Sequence, residues 1–147
     1  MLTEISIAAV IVCVCLLVHV AAMLFMADWL LGRREYFLRV ATRRHYTLVI
    51  IAVFSGIILL HVGEATLWAL FYYSRNLFKD FESSLYFSLV SFATIGYGDI
   101  LLPQNWRLLG AIEGLSGILL CGISTAFIFA IVNAMFQLRI QQQSSRL

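Results

Sequence analysis

Three long apolar runs dominate the sequence, and the short stretches between them carry most of the charge. The runs cover residues 5–31, 46–73 and 108–136. A helix that crosses a bilayer needs about 20 apolar residues at a rise of about 1.5 Å per residue, and each run exceeds that length. The pattern therefore predicts three transmembrane helices.

A fourth apolar stretch, residues 85–95, lies between the second and third runs and is too short to cross a bilayer. Asp80 or Ser83 can cap a helix over residues 81–93, because both side chains accept hydrogen bonds from free backbone N–H groups. A short apolar helix between two spans is typical of a segment that enters and leaves the membrane on one side. We expect a re-entrant helix here.

The composition agrees with a membrane environment. Apolar residues make up 62% of the 147 residues and charged residues 12%, against about 45–50% and about 25% in soluble domains. The net charge of +2 is too small to indicate nucleic-acid binding. The three cysteines cannot form a disulfide framework, and they are interpreted as small buried side chains.

Arginine is concentrated in residues 32–45, which predicts that this linker and the tail, residues 138–147, face the cytoplasm, with the amino terminus outside. The linker also resembles an amphipathic helix on the inner leaflet, although an orientation signal alone explains its arginines. Because Glu4 replaces the basic start of a signal peptide, residues 1–31 are expected to remain as a helix. No run has the regularly spaced arginines of a voltage sensor.

The stretch after the short helix reads Thr94-Ile95-Gly96-Tyr97-Gly98-Asp99. It resembles the selectivity filter of the potassium channel family, in which four copies of a Thr-Val-Gly-Tyr-Gly loop line one pore. The resemblance extends over about residues 46–137, and Ile95 stands where valine is more frequent. A tight glycine turn with Tyr97 at the membrane surface is the alternative interpretation.

The resemblance implies that the backbone carbonyls of Thr94, Ile95, Gly96 and Tyr97 bind K⁺, with Gly98 completing the filter. Glycine tolerates the positive φ that such a strand requires. Tyr97 is expected to brace the filter from the side, and Asp99 to lie at its outer mouth. Since one chain supplies one filter segment, the resemblance also implies a homotetramer.

In the third run, Gly117 corresponds by position to the hinge glycine of the family's inner helix. Close helix packing is an equally good explanation, because a glycine in a helix costs only about 1 kcal/mol. On the same resemblance, the residues expected to line the inner cavity and its gate are Gly122, Thr125, Phe129 or Ile128, and Asn133. A ring of large apolar side chains can close a pore by excluding water.

Ionisable side chains inside a membrane are costly, so each one requires a partner or a function. We predict a hydrogen-bonded shell that supports the filter, and its members are His61, Glu64, Trp68, Tyr86 and Glu113. A position near the interface, where glutamate reaches water, is the alternative. His19 is alone in the first run, and we expect it to be a packing residue.

The sequence thus predicts an all-α membrane protein with three transmembrane helices, a re-entrant pore helix and a filter loop. Its expected parts are an extra helix (1–31), a basic linker (32–45), a pore domain (46–137) and a tail (138–147). Within the pore domain we expect an outer helix (46–73), a pore helix (81–93), a filter (94–99) and an inner helix (108–136).

The expected function is passive K⁺ conduction by a homotetramer in the cell membrane. A less selective cation channel, or a non-conducting regulatory or structural subunit with the same fold, is the alternative. No enzymatic activity, nucleic-acid partner or cofactor is expected, apart from the permeant K⁺. The histidines, cysteines and glutamates are scattered and indicate neither a catalytic group nor a metal site.

Overall fold

The computed structural model describes residues 2–39 and 42–144. These form five α-helices and one 3₁₀ turn, and no strand occurs within the two described ranges. The helices are α1 (Leu2–Leu31), α2 (Arg34–Arg39), α3 (Arg43–Ser74), α4 (Phe81–Phe92) and α5 (Arg107–Ser144), and the 3₁₀ turn spans Gln104–Trp106.

Three of the helices are long and apolar enough to cross a bilayer. They are Thr3–Leu31, Arg43–Ser74 and a segment that joins the 3₁₀ turn to α5, Gln104–Gln141. This confirms the three transmembrane helices expected from the apolar runs. The chain is therefore a multi-pass membrane protein.

The short helix α4 has 12 residues and packs between α3 and α5. Asp80 is its N-cap, and its carboxylate accepts a hydrogen bond from Ser83 N at 2.7 Å. This bond favours the ionised carboxylate and lowers the pKa of Asp80 below its ordinary value. At about 18 Å, α4 is much shorter than a bilayer core.

Large apolar side chains of the neighbouring helices pack against one face of α4. Trp68 and Tyr72 of α3, Phe92 of α4 and Leu109 of α5 form one apolar cluster with Ala8 and Cys15 of α1. The contribution from α1 means that this first helix lies against the other two long helices. It is an integral part of the core.

A second apolar cluster lies at the opposite end of the helices, around Phe37 of α2. Phe37 is buried, and its carbonyl accepts a hydrogen bond from the Tyr46 hydroxyl at 3.3 Å. Phe37 therefore packs against α3 and α5, while an amphipathic linker on the inner leaflet stays a prediction. Residues 40–41 and the side chains of residues 38–39 lie outside the described part of the linker.

Helix α5 continues well past the expected end of the inner helix. It reaches Ser144, so most of the predicted tail is a continuation of the same helix. The remaining tail residues, 145–147, lie outside the described residues. Nothing in residues 137–144 breaks the helix, because this stretch holds neither glycine nor proline.

Candidate functional site

The six residues Thr94 to Asp99, called here the TIGYGD segment, follow directly from the end of α4. The backbone N–H groups of Ile95 and Gly96 both donate to the carbonyl of Val90, at 2.9 and 3.3 Å. These two bonds tie the start of the segment to the last turn of α4. The helix end therefore fixes where the segment begins.

The backbone of this segment alternates in handedness. Thr94, Gly96 and Gly98 have positive φ values of 58°, 59° and 74°, whereas Ile95 and Tyr97 do not. Positive φ was expected at the two glycines. Thr94 was missed, because a β-branched residue rarely adopts this conformation and sequence gives no sign of it. Such strain is typical of functional sites.

A hydrogen bond between Tyr86 and Asp99 ties the end of the TIGYGD segment to the middle of α4. The Tyr86 hydroxyl donates to Asp99 Oδ2 at 2.7 Å, and Asp99 Oδ1 accepts from Ile100 N at 3.0 Å. The Tyr86 hydrogen bond lowers the pKa of the Asp99 carboxyl below its ordinary value. Asp99 is thus an ionised group held by α4.

A polar contact joins the buried side of α4 to both long neighbours. Glu113 of α5 accepts a hydrogen bond from the Tyr72 hydroxyl at 2.7 Å and contacts the Ser88 hydroxyl of α4. Ser88 also donates to the carbonyl of Ala65 at 2.6 Å. This is the only part of the predicted shell, within the described residues, that hydrogen-bonds the buried face of α4.

Within the described residues, Trp68 does not form the hydrogen bond expected of it. It is fully buried, and its ring lies 6.1 Å from that of Tyr72. Its indole Nε1, however, has no hydrogen-bond partner in the described part of the chain. Trp68 therefore supports α4 by filling space rather than by hydrogen bonding.

His61 and Glu64 do not hydrogen-bond α4 but belong to a separate cluster with two residues from other helices. Glu64 Oε1 lies 2.8 Å from His19 Nδ1, and Glu64 Oε2 lies 3.0 Å from His61 Nδ1. The Nε2 atoms of both histidines lie 3.1 Å from Ser124 Oγ. We call these four residues the His–Glu cluster.

The His–Glu cluster corrects two expectations. His19 is not isolated, because it is fully buried against Glu64, 45 residues away in sequence. The side chains of His19, His61 and Glu64 are also not scattered, since their ligand atoms lie within 4.8 Å of one another. Only the packing of α1 on α3 could reveal this, because no local pattern connects His19 with His61.

The glycines of α5 have different surroundings. A Cβ at Gly117 would lie 2.0 Å from the carbonyl oxygen of Phe92, so this glycine lets the end of α4 approach α5. A Cβ at Gly122 would meet nothing within 4 Å. Gly117 is thus required for packing, while its role as a hinge stays a prediction.

Gly122, Thr125 and Phe129 share the exposed face of α5, whereas Gly117 is buried. Phe129 is 73% exposed. The Thr125 hydroxyl donates to the Cys121 carbonyl of its own helix at 2.8 Å. These three of the residues expected to line a cavity therefore lie on one open surface.

Comparison with known proteins identifies the family of this chain. A family model described as "Ion channel" matches residues 46–134, which is 89 of the 147 residues. The matched region contains α4, the TIGYGD segment and nearly all of α3, and it includes α5 as far as residue 134. The chain belongs to this ion channel family. Comparisons with curated proteins and with solved structures gave no significant match.

Proposed function

We propose that this protein is the subunit of a potassium-selective channel, in which the TIGYGD segment is the selectivity filter. The observation that carries the proposal is the alternation of φ at Thr94, Gly96 and Gly98. In an extended strand, successive carbonyls point to opposite sides. A backbone whose φ changes sign at each residue can turn successive carbonyls to one side, where they replace the water around a dehydrated K⁺.

The end of α4 supports the same assignment. Its C-terminus meets the start of the TIGYGD segment through the bonds from Ile95 and Gly96 to Val90. The partial negative charge at a helix C-terminus favours a nearby cation. We infer that α4 is a re-entrant pore helix, and that K⁺ passes as a permeant ion without any cofactor.

The surface of the single chain supports assembly. Ile95 and Tyr97 are 53% and 68% exposed, and the open face of α5 carries large apolar side chains such as Leu119 and Phe129. Exposed apolar surface next to a candidate filter is compatible with contact between copies, which supports the proposed assembly. Four copies arranged around one axis would complete a ring of filter segments, so we propose a homotetramer.

The arginines suggest the orientation. Arg33, Arg34, Arg43 and Arg44 lie near the same end of the long helices as Arg139. Positive charge accumulates on the cytoplasmic side, so we propose that this end lies inside the cell and the TIGYGD segment near the outer surface. The cell membrane is the proposed location.

Flux measurements in liposomes test the proposal. Protein reconstituted with a K⁺ gradient is expected to carry K⁺ much faster than Na⁺, and Ba²⁺, which has nearly the size of K⁺, is expected to block that flux. Equal K⁺ and Na⁺ flux would instead indicate a less selective cation channel. A stable assembly without flux would indicate a non-conducting regulatory or structural subunit.

The substitution Gly96→Ala tests the filter itself. Space is available at this position, but alanine resists the φ of +59°, so the backbone is expected to rearrange and K⁺ flux to be lost. Gly63→Ala is the matched control, since it adds the same methyl group to open space in the middle of α3. Normal flux in Gly96→Ala would exclude this backbone from conduction.

A further inference from the structure

We propose that the His–Glu cluster is a binding site for a transition-metal dication, most suitably Zn²⁺, with His19, His61 and Glu64 as ligands and Ser124 as the residue that positions them. The site joins three helices, because His19 lies on α1, His61 and Glu64 lie on α3, and Ser124 lies on α5. It does not depend on the proposed ion selectivity.

The donor atoms already have the spacing that such a site requires. Both Nδ1 atoms face the Glu64 carboxylate at 2.8 and 3.0 Å, and one ligand atom from each residue lies within 4.8 Å of the others. Tetrahedral zinc separates its ligand atoms by about 3.4 Å at its usual bond lengths. That spacing lies between the shortest distance in the cluster, 2.8 Å, and the upper limit of 4.8 Å. Side-chain rotations can therefore bring the three ligand atoms around one ion.

Hydrogen counting shows that the cluster lacks one hydrogen when both histidines are neutral and Glu64 is ionised. The four residues form a closed ring of four contacts, and each contact needs one hydrogen. Ser124 supplies one, and neutral His19 and His61 supply one each, but an ionised Glu64 supplies none. One contact in the buried ring therefore joins two acceptors unless the cluster holds an additional proton.

A metal ion satisfies the same four residues without that proton. When Nδ1 of each histidine binds the ion, each ring carries its hydrogen on Nε2. Both Nε2–H groups can then donate to Ser124 Oγ, which lies 3.1 Å from each and has two lone pairs. Histidines that bind metals ordinarily donate their second N–H to an oxygen in this way.

The ligand types select the kind of ion. Two imidazoles and one carboxylate are a ligand set of zinc sites, usually with water in the fourth position, whereas Mg²⁺ and Ca²⁺ prefer oxygen ligands. His19 and Glu64 are fully buried, and the His61 side chain is 17% exposed. His61 therefore provides the edge through which an ion can reach the ligands.

Metal binding would fasten α1 to the ion channel region. His19 lies before the family match, which begins at residue 46. The His61 ring lies 5.8 Å from that of Phe92, the last residue of α4. An ion held here would thus link α1 to the end of the proposed pore helix. Any effect on conduction rests on the proposed function, whereas the binding itself does not.

Zinc titration of the purified, untagged, full-length protein tests the site. After treatment with a chelator, the protein is expected to bind one Zn²⁺ per chain in competition with a coloured indicator. Co²⁺ in place of Zn²⁺ is expected to give the visible absorption of a four-coordinate ion. These two measurements use only the wild-type chain. Less than one ion per chain, or a Co²⁺ spectrum of a six-coordinate aqua ion, would overturn the site.

Variants then identify the ligands. His19→Gln and Glu64→Gln are each expected to weaken Zn²⁺ binding by at least about 100-fold, and Ser124→Ala by about 10–100-fold. His45→Gln is the matched control, because His45 is the third histidine and glutamine suits its position in the capping box of α3. Equal affinity in His45→Gln and His19→Gln, both with unchanged helical content, would contradict the assignment.

Flux measured separately distinguishes this proposal from the previous one. A protein that conducts K⁺ but binds no Zn²⁺ overturns the metal site alone. A protein that binds one Zn²⁺ per chain but conducts no ion overturns the proposed function alone.

Discussion

Two glycines five residues apart on α5 have opposite surroundings. Gly117 faces the carbonyl of Phe92, and Gly122 faces open space. Both look the same in sequence, where each is a small residue in an apolar helix and a candidate for packing or bending. Their difference arises because the end of α4 contacts only one of them.

Gly117→Ala is expected to destabilise the protein, because its methyl group would lie 2.0 Å from a backbone oxygen and α4 would have to move. Overpacking of this kind typically costs about 1–3 kcal/mol. Thermal unfolding in detergent measures the loss. Gly122→Ala, which adds a methyl group in open space, is expected to be neutral or to stabilise α5 by up to about 1 kcal/mol. Equal melting temperatures in the two variants would contradict the packing role.

Tyr86→Phe is expected to raise the pKa of Asp99 toward its ordinary value, because the Tyr86 hydroxyl is the main cause of its depression. The ionised Asp99 stabilises the segment above its ordinary pKa, and this contribution is lost as the pH falls through the lowered pKa. In Tyr86→Phe this contribution should therefore be smaller, and the remainder should be lost at a higher pH.

Carbon NMR of the labelled Asp99 carboxyl measures this pKa directly. Tyr73→Phe serves as the control, since its ring contacts Phe81 rather than Asp99. An Asp99 titration that is the same in Tyr86→Phe and in the wild type would show that the hydrogen bond has no influence.

At the scale of the helices, α4 is held on its buried side by one carboxyl group. Glu113 lies between the hydroxyls of Tyr72 and Ser88, and Ser88 also contacts the carbonyl of Ala65. Ser88 has only one hydrogen to donate. A protonated Glu113 that donates to Ser88, while Ser88 donates to Ala65, satisfies every group and avoids an unpaired buried charge.

Glu113→Gln is expected to leave stability nearly unchanged, because the amide can donate to Ser88 and accept from Tyr72. Glu113→Leu has a similar size but leaves the Tyr72 hydroxyl without its acceptor, at about 1–3 kcal/mol, while Ser88 keeps its bond to Ala65. Thermal unfolding of the two variants measures the difference. A leucine variant as stable as the glutamine variant would show that the contact adds nothing to the packing of α4.

At the scale of the whole molecule, the open faces of the chain bear on the proposed assembly. The TIGYGD segment and the face of α5 around Phe129 are exposed, although both are rich in apolar groups. Lipid can cover an apolar helix, but it cannot satisfy the free backbone carbonyls of an irregular segment. In the proposed tetramer, neighbouring copies around a hydrated axis would provide both kinds of contact.

Native mass spectrometry of the protein released from detergent is expected to give a particle of four chains, about 66 kDa from a chain of 16.6 kDa. Chemical cross-linking in the membrane should stop at the same number. A dimer or a monomer under both conditions would contradict a pore formed by four TIGYGD segments.

Much of the fold could be predicted because each long helix follows from a local property. The three apolar runs predict three helices of spanning length, and Asp80, one of the two candidate caps, lies directly before the start of α4. The positive φ of Gly96 and Gly98 also followed from residue type. The continuation of α5 to Ser144 is not predicted, because the run of glutamines and serines from residue 141 is typical of a solvated tail.

The sequence by itself determined the membrane class, the number of spans and the position of the TIGYGD segment, because these depend on runs of neighbouring residues. Only the tertiary structure decided which distant polar groups meet. It placed His19 beside Glu64 and Glu113 beside Ser88, and it gave Gly117 its contact with Phe92. Such pairs depend on how one helix is rotated against another, and that rotation is fixed by the packing of all the helices together.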